Sequence, residues 1–504
     1  MSSLKSSASK QARKNSLYIK ERLQSGLHSF ITHESFGGIL LFFCVAAAMI
    51  VANTPGISDL YFSFLNTDLG FSLNGEIKSM SLLHFINDIL MSLFFLMIGL
   101  EMKREVLYGD LSGFKKVSFS FFAAIGGILI PIAIYCFLNK NNVGSIGFGV
   151  AMSTDTAFVL GVILLLGKRI PNVIKIFLVT LAVVDDLAAV IVVAIFYTET
   201  INIFWLYIST IIFGLLIYIN FRDTKHIFLY SIFGILLWIG VYQSGIHPTV
   251  AAVLLSFCIP GKARVSSIYF GKMIDEWRKI DFDEIKVWRT TFNDRSNKNF
   301  FISIKDGISN FMNPGQEKQV DIVRASYYTQ ILDKIGTYSE KAQNPLLKIE
   351  HFLQPLCAYL IVPLFAFANG GIKIGSYNLF GDKIVLGVVL GLVLGKPIGI
   401  FVFAYLSEKL NISVRPRGLT LGHVFGVGAL AGIGFTMSMF VSQLAYDRLD
   451  LIDISKLSVL IASAIAAFFG IVILIFSTRS SNSKGKIKSN AQDQEQKGKS
   501  NIES

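Results

Sequence analysis

The sequence predicts an all-α polytopic membrane protein with twelve transmembrane helices and both termini cytoplasmic, built on an inverted-topology repeat in which two helices are interrupted and cross. Three observations lead there. The 504 residues are 53% hydrophobic with a mean hydropathy of +0.58, too apolar for a soluble chain of this size. Apolar stretches of about 20 residues, the length that crosses a hydrocarbon core, recur along the chain. Lys and Arg collect in alternate loops, as they do on the cytoplasmic side of a membrane.

The first six spans lie near 36–53, 82–100, 117–138, 145–166, 174–197 and 201–220; the other six lie near 226–242, 245–260, 352–369, 384–406, 420–445 and 454–476. With the N-terminus inside, the inner loops and tails should carry the basic residues. The N-terminal tail, residues 1–35, has Lys5, Lys10, Arg13, Lys14, Lys20 and Arg22. Loop 2–3 has Lys103, Arg104, Lys115 and Lys116, loop 4–5 has Lys168 and Arg169, and loop 6–7 has Arg222 and Lys225. Loop 10–11 carries Lys409, Arg415 and Arg417. On the opposite side, loop 1–2 has only Lys78, loop 3–4 only Lys140, and loop 5–6 none. One span more or fewer would scramble this alternation.

The remaining organisation is set by composition. Residues 36–260 hold spans 1–8 and 350–478 hold spans 9–12. Between them, 261–349 is a polar cytoplasmic insertion containing Trp277, Trp288 and Phe300–Phe301, whose patchy apolar spacing suggests short amphipathic helices. Residues 479–504 are rich in Ser, Asn, Lys and Gln and read as a disordered cytoplasmic tail. Cys44, Cys136, Cys258 and Cys357 all fall in apolar segments without a CxxC or Cys/His pattern, which argues against disulfides and structural zinc. The formal charge of +12 lies in tails and loops, so it signals membrane orientation, not nucleic acid. No cleavable signal peptide is evident, the 261–349 insertion shows no phosphate loop, metal cluster or nucleophile motif, and no cofactor is implied.

Chemistry concentrates at Asp185 and Asp186, adjacent in the middle of the apolar run from Ile176 to Ile195. A carboxylate at bilayer depth costs about 2.5–3.5 kcal/mol on insertion scales, and two neighbours repel each other when both are ionised. Such a pair persists where it handles protons or cations; the plainer alternative is a pair neutralised structurally by neighbouring helices. Span 4 carries Ser153-Thr154-Asp155-Thr156, poor helix interior but good capping material, so an interrupted helix is expected with Thr154 or Asp155 opening its second half. Span 11 carries Gly426, Gly428, Gly432 and Gly434, which suit either a second break or close helix packing. Position favours the break. Spans 3–5 and 10–12 form triplets of opposite orientation with the irregular helix in the middle, and paired interruptions point to a transporter's midplane site. Lys396, deep in span 10, must pair with a carboxylate or be neutral. It serves as a counter-charge or as a proton carrier, and both roles need it at the same place.

Taken together, these residues resemble the NhaA family of bacterial sodium/proton antiporters. The resemblance rests on Phe36-Gly-Gly-Ile-Leu-Leu41, the run Phe94–Glu105, Thr154-Asp-Thr-Ala-Phe158, Leu181–Leu187, Pro363–Asn369, Gly395-Lys-Pro-Ile-Gly399 and Gly432–Ser438. It implies a multi-pass protein of the bacterial inner membrane that exchanges cytoplasmic sodium, and lithium, for external protons. Two protons per sodium would make the exchange electrogenic and serve sodium extrusion and pH homeostasis. It implies cation and proton binding at Asp185, Asp186, Thr154 and Asp155, charge compensation by Lys396, helix breaks at Gly432 and Gly434, and a homodimer. It also implies candidate pH-sensing positions at Glu101, Glu105, His247, Glu350 and His351. The chain departs from shorter relatives of the family in its 261–349 insertion, in Gln354 where a second His can follow His351, and in Pro248 after His247.

Sodium at this site would take oxygens from Asp185, Asp186, the Thr154 hydroxyl, freed carbonyls and water. Adjacent helical residues point about 100° apart, so the two acids differ in role; Asp186 is the expected main sodium ligand, with Asp185 coupled to Lys396. Potassium as substrate and a passive cation channel are the alternatives. An intramembrane aspartyl protease would need a Gly-x-Gly-Asp element on a later span.

Overall fold

The computed structural model describes residues 35–73, 76–108, 114–140, 143–167, 170–198, 200–222, 226–261, 267–278, 329–336, 344–375 and 381–500, with 224 and 338. The N-terminal tail through residue 34, the basic residues Lys168, Arg169 and Lys225, and Trp288 and Phe300–Phe301 lie outside the described residues. Two compact units emerge: residues 1–259 with 350–504, and Pro260–Ile349. Within the second, α11 spans Ser267–Arg278, and Asn344 donates to the Gly261 carbonyl at 2.5 Å, tying the start of this unit to its end.

In the first unit α1 is Ser35–Asn53 and α2 is Ser58–Leu65, bent 114° from it. A two-stranded antiparallel hairpin follows, β1 (Asp68–Leu73) on β2 (Glu76–Ser81), with Asp68 opposite Ser81 and Leu73 opposite Glu76. Among the described residues the chain is otherwise helical, as the sequence predicts, and the hairpin is a small addition between two helices. The intervening dipeptide is Asn74-Gly75, a strong hairpin signal in a loop too polar to cross the membrane. Next come α3 (Leu82–Tyr108), α4 (Phe114–Leu138), α5 (Phe148–Met152), α6 (Thr156–Leu165), α7 (Asn172–Phe196), α8 (Ile203–Phe221), α9 (Ile227–Gln243) and α10 (Pro248–Cys258). The remainder is α12 (Pro345–Gly370), α13 (Lys383–Lys409), α14 (Leu421–Ala431), α15 (Phe435–Ala445) and α16 (Leu449–Ser500).

Among the described residues, eight helices are long and apolar enough to cross a membrane, or up to ten when each of two bent pairs counts as one span; α9 and α10 are shorter. Each of the twelve apolar stretches read from the sequence contains a helix. α16 continues as helix through the polar segment to Ser500, where composition suggested disorder; its Lys, Gln and Ala content is compatible with a helix, and no proline interrupts it.

Several helix pairs carry most of the packing. α13 lies along α4 and α14, α14 lies on α16, and α7 lies on α4. α10 packs on α3, α12 on α1, and α8 on α9. Gly126 of α4 faces Gly399 of α13, where a Cβ on either would strike the other's carbonyl; this lets α13 approach closely enough to carry Lys396 inward. The outer faces remain apolar, with Phe137, Phe204, Phe221 and Phe228 exposed, as lipid contact requires.

Candidate cation and proton site

Two helix interruptions build the site. The first follows Met152: Ser153 and Asp155 adopt extended backbone, and Asp155 caps α6 by accepting from the Phe158 amide at 3.0 Å. A short polar side chain at that place satisfies an amide the new helix leaves free. The second spans Gly432–Gly434, between α14 and α15, which meet at 49°. A Cβ on Gly432 would collide with the Leu392 carbonyl, and one on Gly434 with the Ser438 hydroxyl, so the backbones meet only because these positions are glycine.

The breaks are stitched to each other. The Asp155 amide donates to the Ile433 carbonyl at 2.7 Å, and the Asp155 carboxylate accepts from the Thr436 amide at 3.0 Å and the Thr436 hydroxyl at 2.6 Å. The Ser438 hydroxyl reaches back to the Val150 carbonyl at 2.9 Å. One carboxylate thus serves the N-terminal ends of both α6 and α15, where helix dipoles favour negative charge. Asp155 is placed at the crossing, and its described bonds run to these two helix ends.

The two central acids arrive from the middle of α7, both buried. Asp185 Oδ2 accepts from Lys396 Nζ at 2.8 Å and lies 2.8 Å from the Thr154 hydroxyl, while its Oδ1 is buried without a hydrogen-bond partner. Lys396 also donates to Thr154 Oγ1, which itself lies 3.1 Å from the Ala431 carbonyl at the end of α14. A hydroxyl has a single proton, so Thr154 serves Asp185 or Ala431 but not both at once. Asp186 Oδ2 instead accepts from the Thr156 hydroxyl at 3.0 Å. Lys396 is aimed by a π-helical turn, Gly391–Gly395, immediately before it. Pro397, lacking an amide proton, weakens the regular ladder there and makes the wider turn cheaper. Among the described residues no three His, Cys, Asp or Glu side chains gather as a metal cage, so any cation here would be held by mixed carboxylate, hydroxyl and carbonyl oxygens.

Comparison with known proteins shows the family. The family model described as Na+/H+ antiporter 1 matches residues 28–474. An antiporter of Helicobacter hepaticus, "Na(+)/H(+) antiporter NhaA 2", is 46% identical over 93% of this chain and 99% of its own length. "Na(+)/H(+) antiporter NhaA" of Wolinella succinogenes is 42% identical over 88% of this chain and 91% of its own, and that of Helicobacter pylori strain 26695 is 43% identical over 89% and 94%. The chain belongs to the NhaA family. It is therefore a multi-pass membrane transporter and not an enzyme.

The candidate pH-sensing residues of this NhaA chain fall into separate places. Arg104 gathers three carboxylates: Glu350 at 2.5 Å, Glu105 at 2.9 Å and Glu101 at 3.9 Å. His351, next to Glu350, is exposed. His247 lies elsewhere, its Nδ1 2.8 Å from the Thr249 hydroxyl and its Nε2 3.6 Å from Asp88, which sits in a π-helical turn of α3. Sequence reasoning had not singled out Arg104, Asp88, Thr156 or Thr436 as partners. Thr156 was signalled by the Ser-Thr-Asp-Thr cluster; the others depend on contacts between helices far apart in the chain.

Proposed function

We propose that this protein exchanges cytoplasmic sodium, and lithium, for external protons across the bacterial inner membrane. Protons and cation compete for Asp185 and Asp186: with sodium bound the acids are ionised, and on its release they take protons back. Exposure of the site to each side in turn converts that competition into exchange. No covalent step is needed. With two protons per sodium the cycle moves net charge and responds to voltage, which suits sodium extrusion and pH homeostasis.

One observation carries this reading. Two buried acids adjoin the crossing of two interrupted helices, and Lys396 neutralises one of them, Asp185. Removing one of two like charges in a dry site leaves the other free to alternate between proton and metal ion. Asp186 is then the main sodium ligand, Asp185 couples to Lys396, Thr154 adds an oxygen, and Asp155 holds the crossing together. The described helices and the paired breaks support a twelve-span inverted repeat with both termini inside, and the protein is proposed to work as a homodimer.

Glu101, Glu105 and Glu350 around Arg104, with His351 beside them, are proposed to set the pH response, as is His247 with Asp88. Substituting Glu350→Gln or His247→Gln should move the midpoint of the activity–pH profile while leaving maximal rate near wild type.

The test of the transport reading is cation-driven proton flux in proteoliposomes with sodium, lithium and potassium. Sodium and lithium should drive flux and Asp186→Asn should abolish it. Full sodium-dependent exchange by Asp186→Asn, or flux driven equally by potassium, would overturn the proposal.

A further inference from the structure

The two central acids each meet one threonine from the same unwound segment: Thr154 lies against Asp185 and Thr156 against Asp186. The two pairs differ in charge. Lys396 places an ammonium on both Asp185 and Thr154, whereas the Asp186–Thr156 pair has no described ion-pair partner. A second cation beside Lys396 would be repelled strongly at such range in a poorly solvated site. A metal ion entering this site therefore settles toward Asp186 and the hydroxyl that accompanies it.

Thr156 is also unusually free to serve. It is the first residue of α6, where a threonine's neighbours ordinarily compete for capping, but Asp155 already caps the helix. Its described hydroxyl bond runs to a carboxylate thirty residues away on α7. Thr156 is only half-buried while Thr154 is fully buried, so the hydroxyl beside Asp186 is the less enclosed of the two. A hydroxyl carries one proton and two lone pairs, so rotation about one bond converts a donor to Asp186 into an oxygen ligand for a cation bound there.

Resting on the sodium/proton reading above, we propose that Thr156 is a further oxygen ligand of the transported cation and helps set its choice between sodium and lithium. In the cation-free state the hydroxyl hydrogen-bonds Asp186; with the ion bound it turns its lone pair inward. Sodium, the larger ion, gathers more oxygens than lithium, so Thr156 is the additional ligand that sodium uses and lithium can do without.

The test is Thr156→Val, which keeps the shape and removes the hydroxyl, with Thr156→Ala as a second removal and Thr156→Ser as the rescue. Thermal unfolding in detergent controls for folding, and Thr156→Ala carries the test if the valine variant is unstable. Sodium KM should rise about fivefold or more in the variants lacking the hydroxyl, with the lithium KM rising less, and Thr156→Ser should return both to within about twofold of wild type. A sodium KM and a sodium-to-lithium ratio both unchanged in a folded hydroxyl-free variant would overturn the proposal; so would a loss confined to kcat. Asp186→Asn, measured in parallel, separates the two readings: if it transports sodium the site itself is misassigned, and if it is inactive while Thr156→Val behaves as wild type, only the role of Thr156 fails.

Discussion

Lys396 Nζ and Asp185 Oδ2 lie 2.8 Å apart in a pair whose side chains are 0% and 2% exposed. Each ion alone would be costly at this depth, and the pair is tolerated because each neutralises the other. The second Asp185 oxygen is buried without a hydrogen-bond partner, so the ion pair leaves one polar atom of its own unsatisfied.

Breaking the pair from one side should therefore cost more than removing it whole. Lys396→Gln leaves an unpaired buried carboxylate and should destabilise the protein by about 3–5 kcal/mol. Adding Asp185→Asn to it should restore much of the lost thermal stability, without restoring transport. Detergent unfolding curves for the two single variants and the double variant check this, and a double variant less stable than Lys396→Gln would contradict it.

The crossing depends on one carboxylate serving two helix ends. Asp155→Ala removes the α6 cap and both bonds from Thr436, at about 1–3 kcal/mol for the groups left unsatisfied. Asp155→Asn keeps an acceptor for the Phe158 amide and should lose less. Stability is expected to order as wild type, then Asn, then Ala.

Competition for the same oxygens fixes the sign of the pH dependence. As pH falls, protons occupy the acids and sodium must displace them, so apparent sodium KM should rise on acidification by about tenfold per pH unit for each competing proton. Maximal rate at saturating sodium should change less. A sodium KM that is flat across neutral pH would rule out shared occupancy.

A closed ring of amides, Asn369 buried and Asn87 and Gln443 half-buried, joins α3, α12 and α15. Asn369 of α12 donates to Asn87 of α3 at 2.8 Å and accepts from Gln443 of α15 at 2.5 Å, Asn87 donates to Gln443, and Lys456 of α16 lies 3.4 Å from Asn369. Asn369→Leu should cost about 1–3 kcal/mol, because it strands polar partners in an apolar layer. Unfolding temperature checks this directly.

Gly432 tests the close approach at the second break. Gly432→Val places carbon against the Leu392 carbonyl, a backbone atom with nowhere to go, so folded yield and transport should both be lost. Substitution at Gly56, where a Cβ would meet nothing but the backbone has φ +84°, should instead cost only local turn strain and leave transport intact.

The sequence by itself determined the membrane class, the place of the two acids in α7, the buried Lys396 and the polar break in span 4. Each is written locally, in hydropathy, in a charge within an apolar run, or in capping residues where a helix should continue. Tertiary structure decided what those groups do to each other. The place of Gly432 and Gly434 in the second triplet favours a break, but the atoms they lie against, the Leu392 and Ser153 carbonyls, come from distant segments. Asp155 is legible in the sequence as capping material and as a candidate cation ligand, but not as the partner of Thr436, 281 positions away. Thr156 drew notice only as capping material, yet its hydroxyl faces Asp186. Burial makes a charge expensive wherever it lies in the chain, so the sequence reveals the cost; which partner offsets it depends on helices brought together from distant segments, and no local pattern records that.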